Sequence, residues 1–577
     1  MSWQPATGAI HEGGVTRFRV WAPEAESIEL MLEGEGPRAM ERGADGYWST
    51  AAAVGVGGRY RYRVNGEGPF PDPASRYQPL GVHGPSEIVD RAFPWTDGGW
   101  RGVARSRLVI YELHVGAFTA EGTFAAAAER LPYLRDLGVT AVELMPVADF
   151  PGERNWGYDG VSPFAPARCY GRPDELKRFV DRAHREGLAV FLDVVYNHFG
   201  PDGAYQGVYS KDYYSRRHRS PWGAGINYDG AGCEAVRRYA IENAQHWVED
   251  FHMDGLRLDA THAILDDSAP HLLAELAEAV HGCGRLVHVF AEDDRNRRTL
   301  MTEYGLDGVW ADDFHHHTRV RLAGDHDGYF ADFDGRAESL ARTLRDGWFY
   351  SGQHSEYRGG ARGTSAEGLE KDRFVICIQN HDQIGNRAFG ERLHHQVSDG
   401  AWRAASAMLL LAPETPLLFM GQEWGASSPF QYFTDHHEDL GRKVTAGRRR
   451  EFQRFRAFAD PALREKIPDP QSADTFLRSK LRWEELEQGP HASLVSYYRA
   501  LLGVRRRLSA PLAPRVLDED TIALEGDVTA VIRLAGAGAA PVREADEAVL
   551  VASEDGIRAG KGRVLFPGPG AVVLGRG

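Results

Sequence analysis

Cysteine is scarce in this chain of 577 residues: Cys169, Cys233, Cys283 and Cys377 are its only four, widely scattered and without a CxxC pair. That excludes a disulfide framework and a paired-thiol zinc site, and leaves buried free thiols as the expectation. Long apolar runs are missing as well. Nowhere do about 18 uncharged apolar residues follow one another, and the opening MSWQPATGAIHEGG has no basic segment leading into an apolar one. A soluble, cytoplasmic protein is expected, with no membrane partner. Positive charge is in deficit, 67 Lys and Arg against 82 Asp and Glu for a net −15, and no long Lys/Arg block occurs. The footprint of a phosphate-backbone binder is absent, so nucleic acid is not an expected partner.

What is present is enough chain, 42% hydrophobic, for about three or four domains. Residues 1–90 alternate short strand-like runs (TRFRVWAP, SIELMLEG, RYRYRVNG) with Gly, Pro and Asn turns, the pattern of a small β-sandwich. Its Trp3, Trp21 and Trp48 suit either glucan binding or bracing. A Trp-, Gly- and Pro-rich linker runs from Phe93 to Arg105. Strands alternating with amphipathic helices then fill residues 91–508, with strand candidates beginning at Val109, Val139, Leu188, Gly255, Val287, Gly308, Phe374 and Pro416. Eight parallel strands with crossover helices predict an α/β fold, a (β/α)8 barrel. Between them, Leu176, Phe179, Val180 and Ala183 form one apolar stripe, predicting a helix from Asp174, a candidate N-cap, to Glu186, stopped by Gly187. The Tyr-, Gly-, Ser- and Pro-rich stretch at about 196–230 is too long for an ordinary connection and predicts an irregular insertion over the site. Ser493 to Leu508 reads as the closing helix, and residues 509–577 as a C-terminal β domain.

In such a barrel the site lies at the C-terminal ends of the strands, so polar residues there are the functional candidates. The third strand ends in Asp193 and then Asn197-His198, the fourth in Arg257 and Asp259, the fifth in Glu292, the seventh in Asn380-His381-Asp382. Strand alternation puts Arg257 and Asp259 on the inner face and Leu256 and Leu258 towards the helices. A neighbouring guanidinium favours an ionised carboxylate, as a nucleophile requires, though a structural ion pair would look the same. Glu292 follows the apolar Val287, Val289 and Phe290, surroundings that keep a carboxyl protonated for general-acid work; a solvated strand end is the alternative. Asp382 suits a third carboxylate that binds sugar hydroxyls more strongly as the ring flattens, or a helix N-cap. Trp156 and Tyr158 offer rings for a sugar face, or anchors for their loop. Three successive histidines, His315 to His317, make a poor metal site on an extended chain, where neighbours point oppositely, and fit the rim better. The Arg448 to Arg450 run reads as a solvated helix face.

At these residues the sequence resembles the α-amylase superfamily of glycoside hydrolases: DVVYNH from Asp193, GLRLDATH from Gly255, FAEDD from Phe290 and QNHD from Gln379 occur in that superfamily's order. The resemblance implies Asp259 as nucleophile, Glu292 as acid/base and Asp382 as transition-state stabiliser, with Tyr158, His198, Arg257 and His381 lining the non-reducing side. It implies a retaining mechanism that needs no cofactor and no metal, although Asn197 aligns with a calcium-binding position of many amylases. An N-terminal sandwich before the barrel is similar to the subgroup of branching, isoamylase-type debranching and maltooligosyltrehalose trehalohydrolase families. AEDDRN, QNHDQIGNRAFGERL and EWGASSPFQYFTDHHEDLGRKVTAGRRREF resemble the last of these, which implies cleavage beside the terminal trehalose unit of maltooligosyltrehalose, an oligosaccharide substrate. His262, Asp293, Asp325 in the GDHDG turn, Gln383 and Asn386 are then the leaving-group-side candidates. A glucan debranching or branching enzyme, and an inactive glucan-binding scaffold, are the alternatives; the complete carboxyl set argues against the scaffold.

Overall fold

The computed structural model describes residues 3–454, 460–542 and 548–575. The remainder of the three expected domain ranges, residues 1–2, 455–459, 543–547 and 576–577, lies outside the described residues. Eight parallel strands close on themselves: β1 (Ile110–Leu113), β2 (Ala141–Leu144), β3 (Ala189–Val194), β4 (Gly255–Leu258), β5 (His288–Glu292), β6 (Gly308–Trp310), β7 (Phe374–Cys377) and β8 (Thr415–Phe419), with β8 pairing back onto β1. Every strand begins within two residues of its expected position, because strands covered by helices on one side and barrel interior on the other are almost uniformly apolar.

The barrel interior is layered. Its lower part is apolar, filled by Ile110, Ala141, Ala189, Phe191, Phe290, Val375 and Leu417. Gly255 makes room there: a Cβ on it would lie 2.8 Å from the Phe191 ring. One pleat higher, Glu112 pairs in register with Glu143 and Asp193 with Arg257, so the inner face turns polar towards the strands' C-terminal ends. Leu256 and Leu258 point outward into the helix layer. The Phe93–Arg105 segment runs beneath the opposite end, where Trp95 stacks on His252 at 3.8 Å and the Trp100 indole donates to Asp254 at 2.6 Å.

Helix α1 (Pro173–Arg185) carries the expected stripe and ends before Gly187 at φ 79°. Its N-cap is Arg172, two residues earlier than expected, because Pro173 takes the first helical position and puts Asp174 inside the first turn. Helix α2 (Cys233–Glu249) receives the N-terminal domain, whose two sheets pack over Phe18, Leu30, Trp48, Tyr60 and Tyr62. Of its tryptophans, Trp3 donates to Gln245 of α2 at 3.2 Å, Trp21 packs edge-on to Tyr213 at 5.2 Å, and Trp48 is buried, donating to Ala22 O at 3.0 Å. All three brace. The insertion contributes a hairpin, Tyr214–Ser220 with Gly223–Ile226. After the closing helix, Gly489–Arg507, a five-stranded and a three-stranded sheet complete the chain.

Of the four thiols only Cys377 is buried. Cys169, Cys233 and Cys283 sit at turns and helix ends outside the barrel and are partly exposed, correcting the expectation of burial for all four. Among the described residues, no helix is long and apolar enough to cross a membrane.

Candidate active site

Arg257, 1% exposed on β4, is the hub of the barrel mouth. Its Nη1 donates to both oxygens of Asp193 at 2.9 and 2.8 Å and to Asp259 Oδ1 at 2.9 Å, while its Nη2 lies 3.0 Å from Glu292 Oε2. Its guanidinium also rests over the Trp310 ring at 4.4 Å. One cation thus holds three carboxyl groups from three strands, with fork geometry that a lysine lacks. On Asp259, the remaining oxygen Oδ2 accepts from Asn197 Nδ2 at 2.7 Å. The other end of the Asn197 amide, Oδ1, meets His198 Nδ1.

Immediately after Asp259 the backbone is strained. Ala260 is left-handed at φ 40°, uncommon for a residue with a Cβ, and its N–H donates to Glu292 Oε2 at 2.8 Å. Glu292 Oε2 therefore accepts from Ala260 N–H and lies in ion-pair contact with Arg257, while no hydrogen bond reaches Oε1 among the described residues. Burial, reinforced by the charges of Asp259 and Asp382, pushes the Glu292 carboxyl up to about 8 against the opposing pull of Arg257 and Ala260 N–H. At neutral pH it carries a proton, and the oxygen free to hold it is Oε1.

A second chain of contacts stabilises Asp193. Tyr158 OH donates to Asp193 Oδ2 at 2.6 Å and contacts His381 Nε2 at 2.7 Å, and His381 Nδ1 is hydrogen-bonded to Glu112. Burial disfavours a charged His381, but the Glu112 carboxylate, aided by Asp382, outweighs it and holds the imidazole up to about 9. As an imidazolium His381 donates at both nitrogens, which lets the single Tyr158 hydroxyl proton go to Asp193. His198 Nε2 meets Tyr158 O at 3.0 Å, and Trp222, at the hairpin turn, stacks on the His198 ring at 4.7 Å.

Asp382 lies in the first turn of the short helix α6 (His381–Gly385), where Asn380, not Asp382, supplies the N-cap by accepting from Gln383 N. The Asp382 Oδ1 accepts from Asn386 Nδ2 at 2.7 Å. Trp156 anchors this region: it is buried, donates to Gln431 O at 2.9 Å and stacks on Phe430 at 5.3 Å. Only glycine fits against it, since a Cβ on Gly385 would come within 2.0 Å of the Trp156 ring.

A cavity of about 360 Å³ opens beside Glu292 and Asp382, also lined by His262, Gln383 and Asn386. Two other residues expected on this side lie off it. Asp293 is fully buried, paired with Arg295 (Nε at 2.8 Å) and accepting from Thr261, and its neighbour Asp294 lines the cavity instead. Asp325 is paired with Arg319 and, at 3.1 Å, with Arg387, whose side chain does reach the cavity. The three histidines are not extended. They lie in helix α4 (Asp313–Ala323) and are all buried; only His316 reaches the cavity wall. The extended reading failed because the buried face of this helix is built of His and Arg rather than an apolar stripe.

Several residues of the site went unread in the sequence. Asp312, on the cavity wall, is pushed up to about 7 by burial and then by the charges of Asp382 and Asp294. Glu112 and Glu143 lie under the mouth; Glu143 is fully buried, neither oxygen has a partner among the described residues, and burial with Glu112 and Asp193 nearby pushes it far above the usual range. The signal for both was a charged residue on the inward register of a barrel strand.

Known proteins are similar to this chain in sequence and fold. Residues 96–225 match the α-amylase catalytic domain and residues 5–80 match carbohydrate-binding module 48, the isoamylase N-terminal domain. A 1.4 Å crystal structure of a Salmonella typhimurium protein described as a candidate α-amylase superposes with a TM-score of 0.91 at 36% identity, covering 100% of both chains. The malto-oligosyltrehalose trehalohydrolase of Mycobacterium tuberculosis is 44% identical, covering 87% of this chain and 88% of its own. That of Deinococcus radiodurans is 49% identical over 533 residues, 91% of this chain and 86% of its own. With an α-amylase-type barrel, a module-48 sandwich before it and relatives of this closeness over most of its length, the chain belongs to the malto-oligosyltrehalose trehalohydrolase family of glycoside hydrolases.

Proposed function

We propose that this protein hydrolyses the α-1,4-glucosidic bond beside the terminal trehalose unit of maltooligosyltrehalose, with retention, releasing trehalose and a maltooligosaccharide. Asp259 attacks the anomeric carbon as the glucosidic C–O bond breaks and the proton on Glu292 Oε1 passes to the leaving trehalose oxygen. The Glu292 carboxylate then takes a proton from water, whose oxygen displaces Asp259 and frees the maltooligosaccharide. Asp382 binds ring hydroxyls as positive charge develops. The observation that carries this chemistry is the Asp259–Arg257–Glu292 bridge. One guanidinium in contact with both carboxyl groups keeps nucleophile and acid side by side at neighbouring strand ends, the pairing that retaining enzymes use at about 5–5.5 Å.

Trehalose carries no charge and no reducing end, so its polar recognition must come from contacts to its hydroxyls. The cavity beside Glu292 supplies them from Asp382, Gln383, Asn386 and His262, whose Nδ1 has no partner among the described residues. The four unpaired cysteines suit a reducing compartment, and the cytoplasm is the proposed location.

The test is to incubate the protein separately with maltooligosyltrehalose, linear maltooligosaccharide and a branched glucan and to separate the products by chromatography. Free trehalose is expected as a main product from the first. Its absence there, or faster debranching of the third, overturns the substrate assignment. The protonated Glu292 also fixes the alkaline side of the pH profile: kcat/KM for the first substrate is expected to fall as pH rises through about 8, because the acid deprotonates in the free enzyme. A profile still flat well above pH 8 would remove Glu292 from the acid role.

A further inference from the structure

The Arg448 to Arg450 run does not form a uniformly solvated face. It lies near the end of helix α8 (Glu438–Glu451), where Arg450 is exposed but Arg448 is buried, 8% exposed. The Arg448 guanidinium is enclosed by the rings of Phe452 at 4.7 Å and Tyr432 at 5.5 Å. Its Nη2 donates to Gly385 O at 2.6 Å and Arg387 O at 3.2 Å, and its Nη1 reaches Asn386 Oδ1 at 3.5 Å and Glu451 at 3.3 Å. It therefore grips the backbone on both sides of Asn386, the residue whose Nδ2 donates to Asp382 Oδ1.

The polarity of this chain is determined. Arginine has only donors, so the Asn386 oxygen must face Arg448 and the amide NH2 must face Asp382. The turn keeps its own backbone bonds, Asn386 N–H to Asp382 O and Arg387 N–H to Ile384 O, both at 3.0 Å, and the guanidinium adds the contacts that hold it against helix α8 and reinforces the amide orientation that suits Asp382, since a flipped amide would present an oxygen to the carboxylate. Lysine keeps the charge but lacks the planar fork that reaches two carbonyls and an amide oxygen together.

We propose that Arg448 is a positioning residue for the reaction, setting the Asp382 carboxylate through Asn386. Through it, helix α8, whose last residue Glu451 and C-cap Phe452 line the cavity, is tied to the reacting end of the site. This rests on the reading of Asp382 as the carboxylate that stabilises the transition state, where a misplacement of about 1 Å costs on the order of 100-fold in rate.

The experiment is a double-mutant cycle on maltooligosyltrehalose hydrolysis, with Arg448→Lys, Asn386→Ala, their combination, and Asp382→Asn as the control. Arg448→Lys is expected to lower kcat by about 10- to 100-fold with KM changed less than about 3-fold, as for an interaction made in the transition state. The double variant should lose no more than the worse single variant, because both act along one chain. Added guanidinium should restore part of the kcat of Arg448→Ala, which a collapsed fold would not permit, and thermal melts should keep Arg448→Lys within a few degrees of the parent. Multiplying losses in the cycle, or an effect confined to KM, overturns the proposal. An active Asp382→Asn variant instead overturns the reading on which it rests.

Discussion

Replacing Glu292 by glutamine is expected to lower kcat on maltooligosyltrehalose by about 100- to 10,000-fold, the range for loss of a positioned general acid, or roughly 3–5 kcal/mol on the barrier. KM should barely move. The substitution is unusually clean here because the two carboxyl oxygens are already differentiated. Oε2 accepts from Ala260 N–H at 2.8 Å and lies 3.0 Å from Arg257 Nη2, and the glutamine oxygen can keep both contacts. Its NH2 then replaces the protonated Oε1, preserving the shape and the neutral charge of the resting acid while removing the transferable proton. A substrate whose leaving group departs as a stable anion, such as an aryl α-glucoside with an acidic phenol, should recover much of the first step, since it needs no proton. Product release by chromatography and binding by calorimetry measure the two halves. Full activity in this variant, or lost binding with turnover per bound substrate unchanged, overturns the assignment.

The barrel was legible because its strands obey a simple rule: covered on both faces, they read as short apolar runs, and all eight emerge at their expected places. The Arg257 and Asp259 pairing was legible for the same reason, since period-two alternation alone puts both inside. Contacts between elements far apart in sequence were not. Nothing local distinguishes Asp293 from Asp294, yet the first is bound to Arg295 and Thr261 beneath the strand end while the second faces the cavity. The same holds for Arg448, indistinguishable from Arg450 until helix α8 is laid against the Gly385–Arg387 turn. Helix α4 was hidden by its composition, since His315, His316 and His317 fill a buried face normally marked by apolar residues. Glu112 and Glu143 could have been found, because each interrupts an apolar strand at an inward position, which in a packed barrel is costly unless the group is paired or neutral.

Replacing Arg257 by methionine should harm both stability and catalysis, and the pH dependence of the loss identifies its origin. The methionine fills comparable volume over Trp310 but leaves Asp193, Asp259 and Glu292 without their shared cation, and uncovering a buried charge in this way costs about 3–5 kcal/mol. Arg257 opposes the upward push of burial on Asp193, raised to about 6, and on Glu292, raised to about 8. Without it both rise further above their unfolded values, so the folded variant binds more protons than the unfolded chain across the neutral range. Such groups contribute stability at low pH that is lost as pH rises through the folded pKa. The stability deficit relative to the parent should therefore be largest near pH 8 and shrink towards pH 5, where protonation supplies the compensation that the guanidinium gave. Catalysis does not recover in step, because protons taken up by Asp193 and Glu292 cannot replace the guanidinium's hold on Asp259 and Glu292, so kcat stays low at both ends of this range. Arg257→Lys should fall between, keeping one charge but unable to contact three carboxyl groups at once. Denaturant melts and kcat at pH 5 and 8 test this directly; a deficit independent of pH would mean that Arg257 acts by packing on Trp310 and not as the cluster's counter-charge.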